Sequence, residues 1–379
     1  MPDILMGISR AGLKESGDPD LLVVLLPKTC DASFLFTDNH FRSGSVIYSQ
    51  KVFQKRRSVR AFVVNSGNAN CGTGKEGVEH ARMMAERVGD VLNLDPEEVL
   101  VFSTGVIGRP LPIESVLKAI EEACADLRPL DLEEASRTIG TTDRFPKFAS
   151  VRKGSLEAFG FAKGAGMISP SMGTMLAFIF TNAKVDPETL RKIHREVCER
   201  TFNSITVDNC KSTNDSFGVI ALGEVDSDAE DLKSALEKVS LSLARKIVED
   251  GEGATRVIRV TVKNASMTVK AREIARAVAG SLLVKTAVYG RDPNWGRILA
   301  AAGSTEFPID PFKVKVFVGN HLLYDGRPHP EAEKEAGDYM EREKVVDIVV
   351  DLGEGEESWT YYSSDLGYEY IRINAEYRT

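Results

Sequence analysis

The sequence is poor in the residues that build disulfide frameworks and zinc sites. It has five cysteines among 379 residues, an odd number with no C-x-x-C pair. Its five histidines are scattered, and it contains no H-E-x-x-H motif. These absences argue against a disulfide-stabilised scaffold and against the common zinc sites. Reduced thiols are typical of cytoplasmic proteins, so we expect a cytoplasmic protein without a bound metal.

Long runs of one charge and long apolar runs are missing as well. The chain has 48 basic and 56 acidic residues, for a net charge of −8. A nucleic-acid-binding protein usually has a basic stripe, so this balance argues against that class of partner. No apolar run approaches the roughly 20 residues that span a bilayer. The N-terminus has no apolar stretch behind a basic start, so we expect neither a signal peptide nor a membrane partner.

Alternating strand and helix patterns are abundant. The short apolar runs Leu21–Pro27 and Ser33–Thr37 predict strands, and Lys75–Leu92 has the periodicity of an amphipathic helix. Ser227 begins a capping-box pattern that predicts a helix ending near Asp250. A chain of this length usually forms two domains, and the alternation predicts a layered α/β arrangement.

A polar, Gly-rich loop, NSGNAN and its continuation to Gly74, precedes the first of these helices. The phosphate-binding pattern G-x-x-x-x-G-K-[ST] fails here, because Ala69 replaces its first glycine and Glu76 its Ser/Thr. Two interpretations remain open. The loop either supports a functional site or is a purely structural turn.

Thr174 lies where a Gly-, Pro- and Ser-rich loop enters an apolar segment, Met175–Thr181, that predicts a buried strand. If the bond after Gly173 were cut, Thr174 would carry a hydroxyl and a free α-amine. An α-amine that titrates near about 8 can take the proton of the hydroxyl, which is a known way to activate a nucleophile. From these residues alone, an ordinary loop before a strand is the favoured interpretation.

The segment KGAGMISPSMGTMLAF resembles the self-cleavage segment of the ornithine acetyltransferase (ArgJ) family. Further segments resemble the same family in the expected order, among them STGVIG, DGEGAT and DPNWGRI. The resemblance implies cleavage between Gly173 and Thr174, with Thr174 then carrying the acetyl group. The chain departs from the family pattern at two positions, since Gly173 stands where Ala is usual and Ser171 where Asn is usual.

The same resemblance implies roles for further residues. In STGVIG, Thr104 and Gly105 would stabilise an oxyanion, although Ser-Thr-Gly alone is a common strand ending. The implied substrate-binding residues are Thr141 or Thr142, Lys163, Thr174, Glu252, Asn374 and the terminal Thr379. Lys163 would hold a carboxylate and Glu252 the ammonium of ornithine, whereas Lys147 is interpreted as a solvated loop charge. The segment DPNWGRI is interpreted as a supporting turn before a helix.

The fold that the resemblance implies is a four-layer α-β-β-α sandwich, as in the self-processing ornithine acetyltransferases and DmpA-like proteins, with a smaller C-terminal α/β domain. We expect the main domain to comprise residues 1–265 and the smaller one residues 266–379. The aromatic and β-branched C-terminal segment predicts a final strand that returns to the active site.

The implied function is that of a glutamate N-acetyltransferase in arginine biosynthesis. It would move acetyl from N2-acetylornithine to glutamate through an acetyl-Thr174 intermediate, without a cofactor and with acetyl-CoA as an additional co-substrate to be tested. The resemblance also implies two α and two β chains cut from one precursor. Two alternatives stay open, an N-terminal-threonine amidase and an uncleaved binding protein.

Overall fold

The structure is a computed structural model, and it describes residues 3–169 and 175–376. The chain divides into two compact units. The first comprises the described residues up to Asn203 together with Cys210–Ile247. The second comprises Ser204–Asn209 and the described residues from Val248 onward. In the described part of the chain, every helix is too short or too polar to cross a membrane.

Strands and helices alternate along the chain, as the sequence predicted. The strands are β1 (Leu5–Ser9), β2 (Leu21–Phe36), β3 (Ser58–Asn68), β4 (Val99–Val106), β5 (Arg128–Pro129), β6 (Lys147–Lys153), β7 (Leu156–Lys163), β8 (Leu176–Lys184), β9 (Ile205–Thr206), β10 (Ser216–Asp226), β11 (Val257–Ala265), β12 (Lys315–Val318), β13 (His321–Tyr324), β14 (Val345–Asp351) and β15 (Glu357–Ser364). The helices are α1 (Gly44–Arg56), α2 (Lys75–Leu92), α3 (Ile113–Ala125), α4 (Leu132–Ile139), α5 (Pro187–Arg200), α6 (Ala229–Glu249), α7 (Thr268–Gly280), α8 (Leu282–Tyr289), α9 (Trp295–Gly303), α10 (Pro330–Arg342) and α11 (Tyr368–Glu376). Two short 3-10 turns are Pro96–Glu98 and Phe202–Ser204.

The first unit is built on one sheet that folds back on itself. Its main strand order is β4-β3-β2-β10-β8-β7-β6, and β1 pairs with β2 and with β5. In a flat sheet β4 and β8, four positions apart in this order, would be separated by about 19 Å. The rings of Phe102 in β4 and Phe178 in β8 nevertheless lie 4.9 Å apart, and Phe62 in β3 stacks on Phe178 at 4.5 Å. The two halves of the sheet therefore face each other across an aromatic core.

Helices cover the outer faces of both halves. Along β2, Leu22 and Val24 point into the aromatic core, whereas Leu21 and Val23 point the other way and pack with α2 and α3. On the other half, His194 of α5 packs on Phe217 of β10 with ring centroids 4.2 Å apart. Hydrogen bonds between α6 and β6, and between α6 and α5, hold the remaining helix on this side. This layering is the predicted α-β-β-α sandwich.

Strand β2 and helix α6 differ in detail from the sequence prediction. The two strands predicted at 21–27 and 33–37 form one strand, because β2 continues through a register shift against β3 between Leu25 and Cys30. Helix α6 begins at Ala229, and Asp228 rather than Ser227 caps it by accepting the backbone N–H of Glu230 at 2.6 Å.

The second unit has its own sheet and an aliphatic core. Its strand order is β13-β12-β14-β11-β15-β9, and Val260, Ile274 and Ile348 are buried members of its core. The predicted boundary after residue 265 falls at the end of β11, inside this unit, because β11 pairs with both β14 and β15.

The described C-terminal segment is a helix, α11, and the prediction of a final strand was wrong for it. Arg372 forms ion pairs with Glu369 and Glu376, one helical turn away on either side. Such i, i+3 and i, i+4 pairs favour a helix over the local β-propensity.

Candidate functional site

Thr104 and Gly105 lie at the end of β4, where the strand meets β3 with an irregular register. Gly105 has φ +129°, and a Cβ there would come within 2.3 Å of the backbone carbon of Gly67. Only glycine fits such a close approach in this conformation. The Thr104 side chain is buried, and its Oγ1 accepts a hydrogen bond of 3.1 Å from Lys163 Nζ. A hydroxyl that accepts from an ammonium keeps its own proton for another acceptor.

The NSGNAN loop contacts this strand end, and its support of a functional site stays a prediction. Asn65 Oδ1 accepts from Ser103 Oγ at 2.6 Å. Asn214 Nδ2, from the loop before β10, donates to the carbonyls of Ser103 and Ala69, both at 2.7 Å. Two segments remote in sequence thus hold Ser103, the residue directly before Thr104.

Lys163 belongs to a buried cluster of charges. It ends β7 with only 3% of its surface exposed. The next residue donates its backbone N–H to Asp143 Oδ1 at 2.8 Å, and Lys147 Nζ donates to the same oxygen at 2.6 Å. Burial by itself would raise the pKa of Asp143, but the charges of Lys147 and Lys163 and the bond from the Gly164 amide lower it to about 2. Asp143 is therefore a carboxylate between two lysines.

Lys147 corrects the sequence interpretation. It was expected to be a solvated loop charge, but it begins β6 and its side chain is fully buried. Its ammonium bonds to Asp143 and lies 5.0 Å from the ring centre of Phe145. Sequence spacing gave one signal for this pair, since Asp143 and Lys147 lie four residues apart in the TTD-x-x-PK segment.

A cavity of about 440 Å³ opens beside this cluster. Thr141, whose backbone N–H bonds to Asp143 Oδ2 at 3.1 Å, is part of its wall. Charged side chains line much of the cavity around Thr141. They include Lys14, Asp18, Glu134, Arg137 and Arg144. Thr142 is half-buried.

Glu252 and Asn374 come together within the second unit. Asn374 Nδ2 donates to Glu252 Oε2 at 2.9 Å. Gly253 has φ +71°, and a Cβ there would lie 2.4 Å from the backbone nitrogen of Tyr370 in α11. The glycine beside Glu252 thus lets the DGEGAT turn pack against the helix that carries Asn374.

Asp215 is a buried acid that sequence reasoning did not single out. Its Oδ1 accepts the backbone N–H of Met175 at 2.9 Å, although the two residues are 40 positions apart. Thr174 and Gly173, and likewise Thr379, lie outside the described residues. Met175 directly follows the predicted nucleophile, so Asp215 belongs to its surroundings.

The DPNWGRI segment forms the predicted supporting turn. Asn294 caps α9 by accepting the N–H of Arg297 at 3.0 Å, and Arg297 in turn donates to the carbonyl of Leu283 at 3.0 Å. Trp295 stacks on Tyr324 at 5.1 Å. These contacts are structural.

Comparison with known proteins decides the family. The model of the ArgJ family matches residues 5–379. The chain belongs to the ArgJ family. It is 62% identical over all 379 residues to the arginine biosynthesis bifunctional protein ArgJ of Aquifex aeolicus, which it covers completely. It is 40% identical to the glutamate N-acetyltransferase of Methanopyrus kandleri, with 99% of this chain and 98% of that protein aligned.

A solved structure agrees with the family assignment. The crystal structure of ArgJ from Bacillus halodurans is 36% identical to the chain, with a TM-score of 0.52. The match covers 54% of this chain and the whole of that one. The predicted family, fold class and enzyme class are therefore confirmed, and the structure brings Thr104, Gly105 and Lys163 of the family motifs together in one unit.

Proposed function

We propose that the chain is a self-cleaving glutamate N-acetyltransferase that moves acetyl from N2-acetylornithine to glutamate. The observation that carries this proposal is the hydrogen bond between Lys163 and Thr104 beside the Gly105 turn. It combines a cation suited to a carboxylate with a hydroxyl suited to an oxyanion. Membership of the ArgJ family supports a role in arginine biosynthesis.

The first step is cleavage of the chain. Thr174 Oγ attacks the carbonyl carbon of Gly173, the C–N bond breaks, and the acyl group passes to Oγ as an ester while the hydroxyl proton ends on the nitrogen. Water then hydrolyses the ester, which frees the carboxylate of Gly173 and restores the Thr174 hydroxyl. The products are an α chain of residues 1–173 and a β chain of residues 174–379.

The second step is transfer of acetyl by a ping-pong mechanism. The Thr174 amine takes the hydroxyl proton, Oγ attacks the acetyl carbon, and the amide bond to ornithine breaks as the ornithine nitrogen receives that proton. The amine of glutamate then attacks the acetyl ester, the ester C–O bond breaks, and a proton from that amine passes to Oγ, which restores the Thr174 hydroxyl. The Thr104 hydroxyl and the Gly105 N–H are suited to hold the negative oxygen in both halves.

Both substrates are α-amino acids, so one anchor serves both. Lys163 binds the α-carboxylate as a point charge at close range. One of the adjacent threonines, Thr141 or Thr142, also contacts the substrate, as the family resemblance implies. Glu252 and Asn374, joined by their hydrogen bond, bind the side-chain ammonium of ornithine, and Thr379 completes the substrate contacts.

Intact-mass measurement and product analysis test the proposal. The purified protein should contain two fragments that meet at 173/174, and it should form N-acetylglutamate and ornithine in equal amounts. The Thr174→Ala variant should remain uncut and inactive, and cleavage in that variant would contradict the mechanism. Accumulation of acetate would instead favour the amidase, and an intact wild-type chain would favour the binding protein.

Three further properties belong to this proposal. The enzyme needs no cofactor, it acts in the cytoplasm, and it assembles from two α and two β chains. Acetyl-CoA is proposed as a second acetyl donor that reacts with the same threonine. Incubating the enzyme with glutamate and acetyl-CoA alone tests this, because N-acetylglutamate forms only if the thioester is used.

A further inference from the structure

Asp215 holds the residue after the cleavage site from two sides. Its Oδ1 accepts the Met175 N–H at 2.9 Å, and the neighbouring Ser216 donates its N–H to the Met175 carbonyl at 3.1 Å. Asp215 is fully buried at the start of β10. Its own carbonyl accepts the N–H of Thr37 at 3.0 Å, so its backbone is fixed as well.

The second carboxylate oxygen has no hydrogen-bond donor among the described residues. This atom, Oδ2 of Asp215, is buried. Burial raises the pKa of Asp215 well above its usual value, although the bond from Met175 and the charge of Lys163 act in the opposite direction. Buried carboxylate oxygens almost always have a donor, so an unpartnered one points to a group that arrives later.

The covalent structure of the chain indicates that this group is the nitrogen of residue 174. The nitrogen of residue 174 is three bonds from the nitrogen of Met175, so the two atoms are within about 4 Å of each other in any conformation. Before cleavage the first of them is an amide with one hydrogen. After cleavage it is an amine, with three hydrogens when protonated.

We infer that Asp215 is the positioning residue for the α-amine released by cleavage, with Oδ2 as its hydrogen-bond acceptor. This inference rests on the proposed function, because the amine exists only after the chain is cut. The carboxylate would orient the amine toward the Thr174 hydroxyl. It would also favour the ammonium form, since each member of such a pair stabilises the charge of the other.

The surroundings of Asp215 are suited to this task. Lys163 of β7 is the charged side chain that acts on it, and the hydroxyls of Ser212 and Thr37 face it. The charge of Lys163 acts on the Asp143 carboxylate as well, so Asp215 shares this cation with Asp143.

The test is the pH dependence of acetyl transfer in Asp215→Asn. Removing the negative charge should lower the pKa of the Thr174 amine, so the acid limb of kcat/KM should move to lower pH by about one unit. We expect this variant to be cut completely, with kcat reduced at least about tenfold and KM little changed. The matched control is Asp20→Asn, another buried carboxylate, which accepts three backbone N–H groups of residues 11–14. In that control the acid limb of kcat/KM should stay at the wild-type pH.

The possible outcomes separate the inference from the proposed function. An uncut or inactive wild-type protein refutes the proposed function itself. Suppose that the wild type is active and that the Asp215→Asn enzyme is cut. If the acid limb of kcat/KM then lies at the wild-type pH in this variant, the inference alone is overturned. So does a folded Asp215→Asn chain that stays uncut, because the residue would then act before the amine exists.

Asp215→Glu covers the case in which the Asn variant fails to fold. It keeps the charge but displaces it by one methylene, so kcat should fall while the limb stays at the wild-type pH. A limb that moves to lower pH in Asp215→Glu would overturn the inference.

Discussion

The two units contain buried lysines in opposite settings. Lys163 and Lys147 in the first unit flank Asp143, a carboxylate whose pKa is lowered to about 2. Lys285 in the second unit is equally buried, but its ammonium bonds to neutral oxygens, the carbonyl of Val207 and the hydroxyls of Ser363 and Ser364. Burial lowers the pKa of Lys285 to about 8, although Asp208 and Asp365 act in the opposite direction.

The difference separates the cation that we propose as a substrate anchor from one held by neutral oxygens. A buried lysine keeps its charge firmly when a carboxylate compensates it, and it can then bind an anionic substrate. A lysine held by neutral oxygens is close to losing its charge at neutral pH. Burial of a lysine alone therefore does not indicate a binding site. The group that compensates the ammonium, a carboxylate or a neutral oxygen, distinguishes the two cases.

The largest expected effect is on catalysis in Lys163→Met. Loss of the cation should reduce kcat/KM about 100- to 1000-fold for both N2-acetylornithine and glutamate, because a substrate carboxylate would be left without its partner. Lys285→Met is the matched control and should retain catalysis within about threefold. Equal losses of kcat/KM in the two variants, measured by the same assay, would contradict the distinction between the two lysines.

A smaller effect is expected on stability in Lys147→Met. Asp143 would lose its direct partner, so the free energy of unfolding should fall by about 3 kcal/mol. Adding Asp143→Asn should restore part of the loss, because the uncompensated charge is removed. Denaturant titration of the single and double variants measures both quantities, and a double variant no more stable than Lys147→Met would contradict the pairing.

The smallest effect concerns Lys285 and pH. Burial lowers the pKa of Lys285 from its usual 10.5, which applies to the unfolded chain, to about 8 in the folded chain. Between these values the unfolded state binds more protons, so this residue makes stability rise with pH by at most about 1.4 kcal/mol per unit. Stability curves from pH 7 to 10 should differ in slope between the wild type and Lys285→Met. Parallel curves would show that the lysine stays charged.

Local features were predictable from the sequence. Helix α2 has the bounds that its periodicity predicted. Asp186 caps α5 by accepting two backbone N–H groups, a local pattern of the same kind. The position of Thr104 at a strand end also agrees with the Ser-Thr-Gly pattern. Such features depend on neighbouring residues, so a single segment contains the information.

Other features depended on contacts between distant segments. The pattern of β2 predicted two strands because its middle is polar, and pairing with β3 and β10 joined them. The C-terminal segment has β-propensity, but ion pairs along one face of α11 favoured a helix. Tertiary and side-chain contacts routinely override such weak preferences.

The sequence by itself determined the alternation of strands and helices, the family, and the threonine proposed as nucleophile. Only the tertiary structure decided that Lys147 is buried against Asp143 and that Asp215 meets Met175 from 40 residues away. Periodicity records which face of a segment is apolar, but it does not record which distant segment packs there. Folding of the first sheet onto itself decides that, and with it which buried charges have partners.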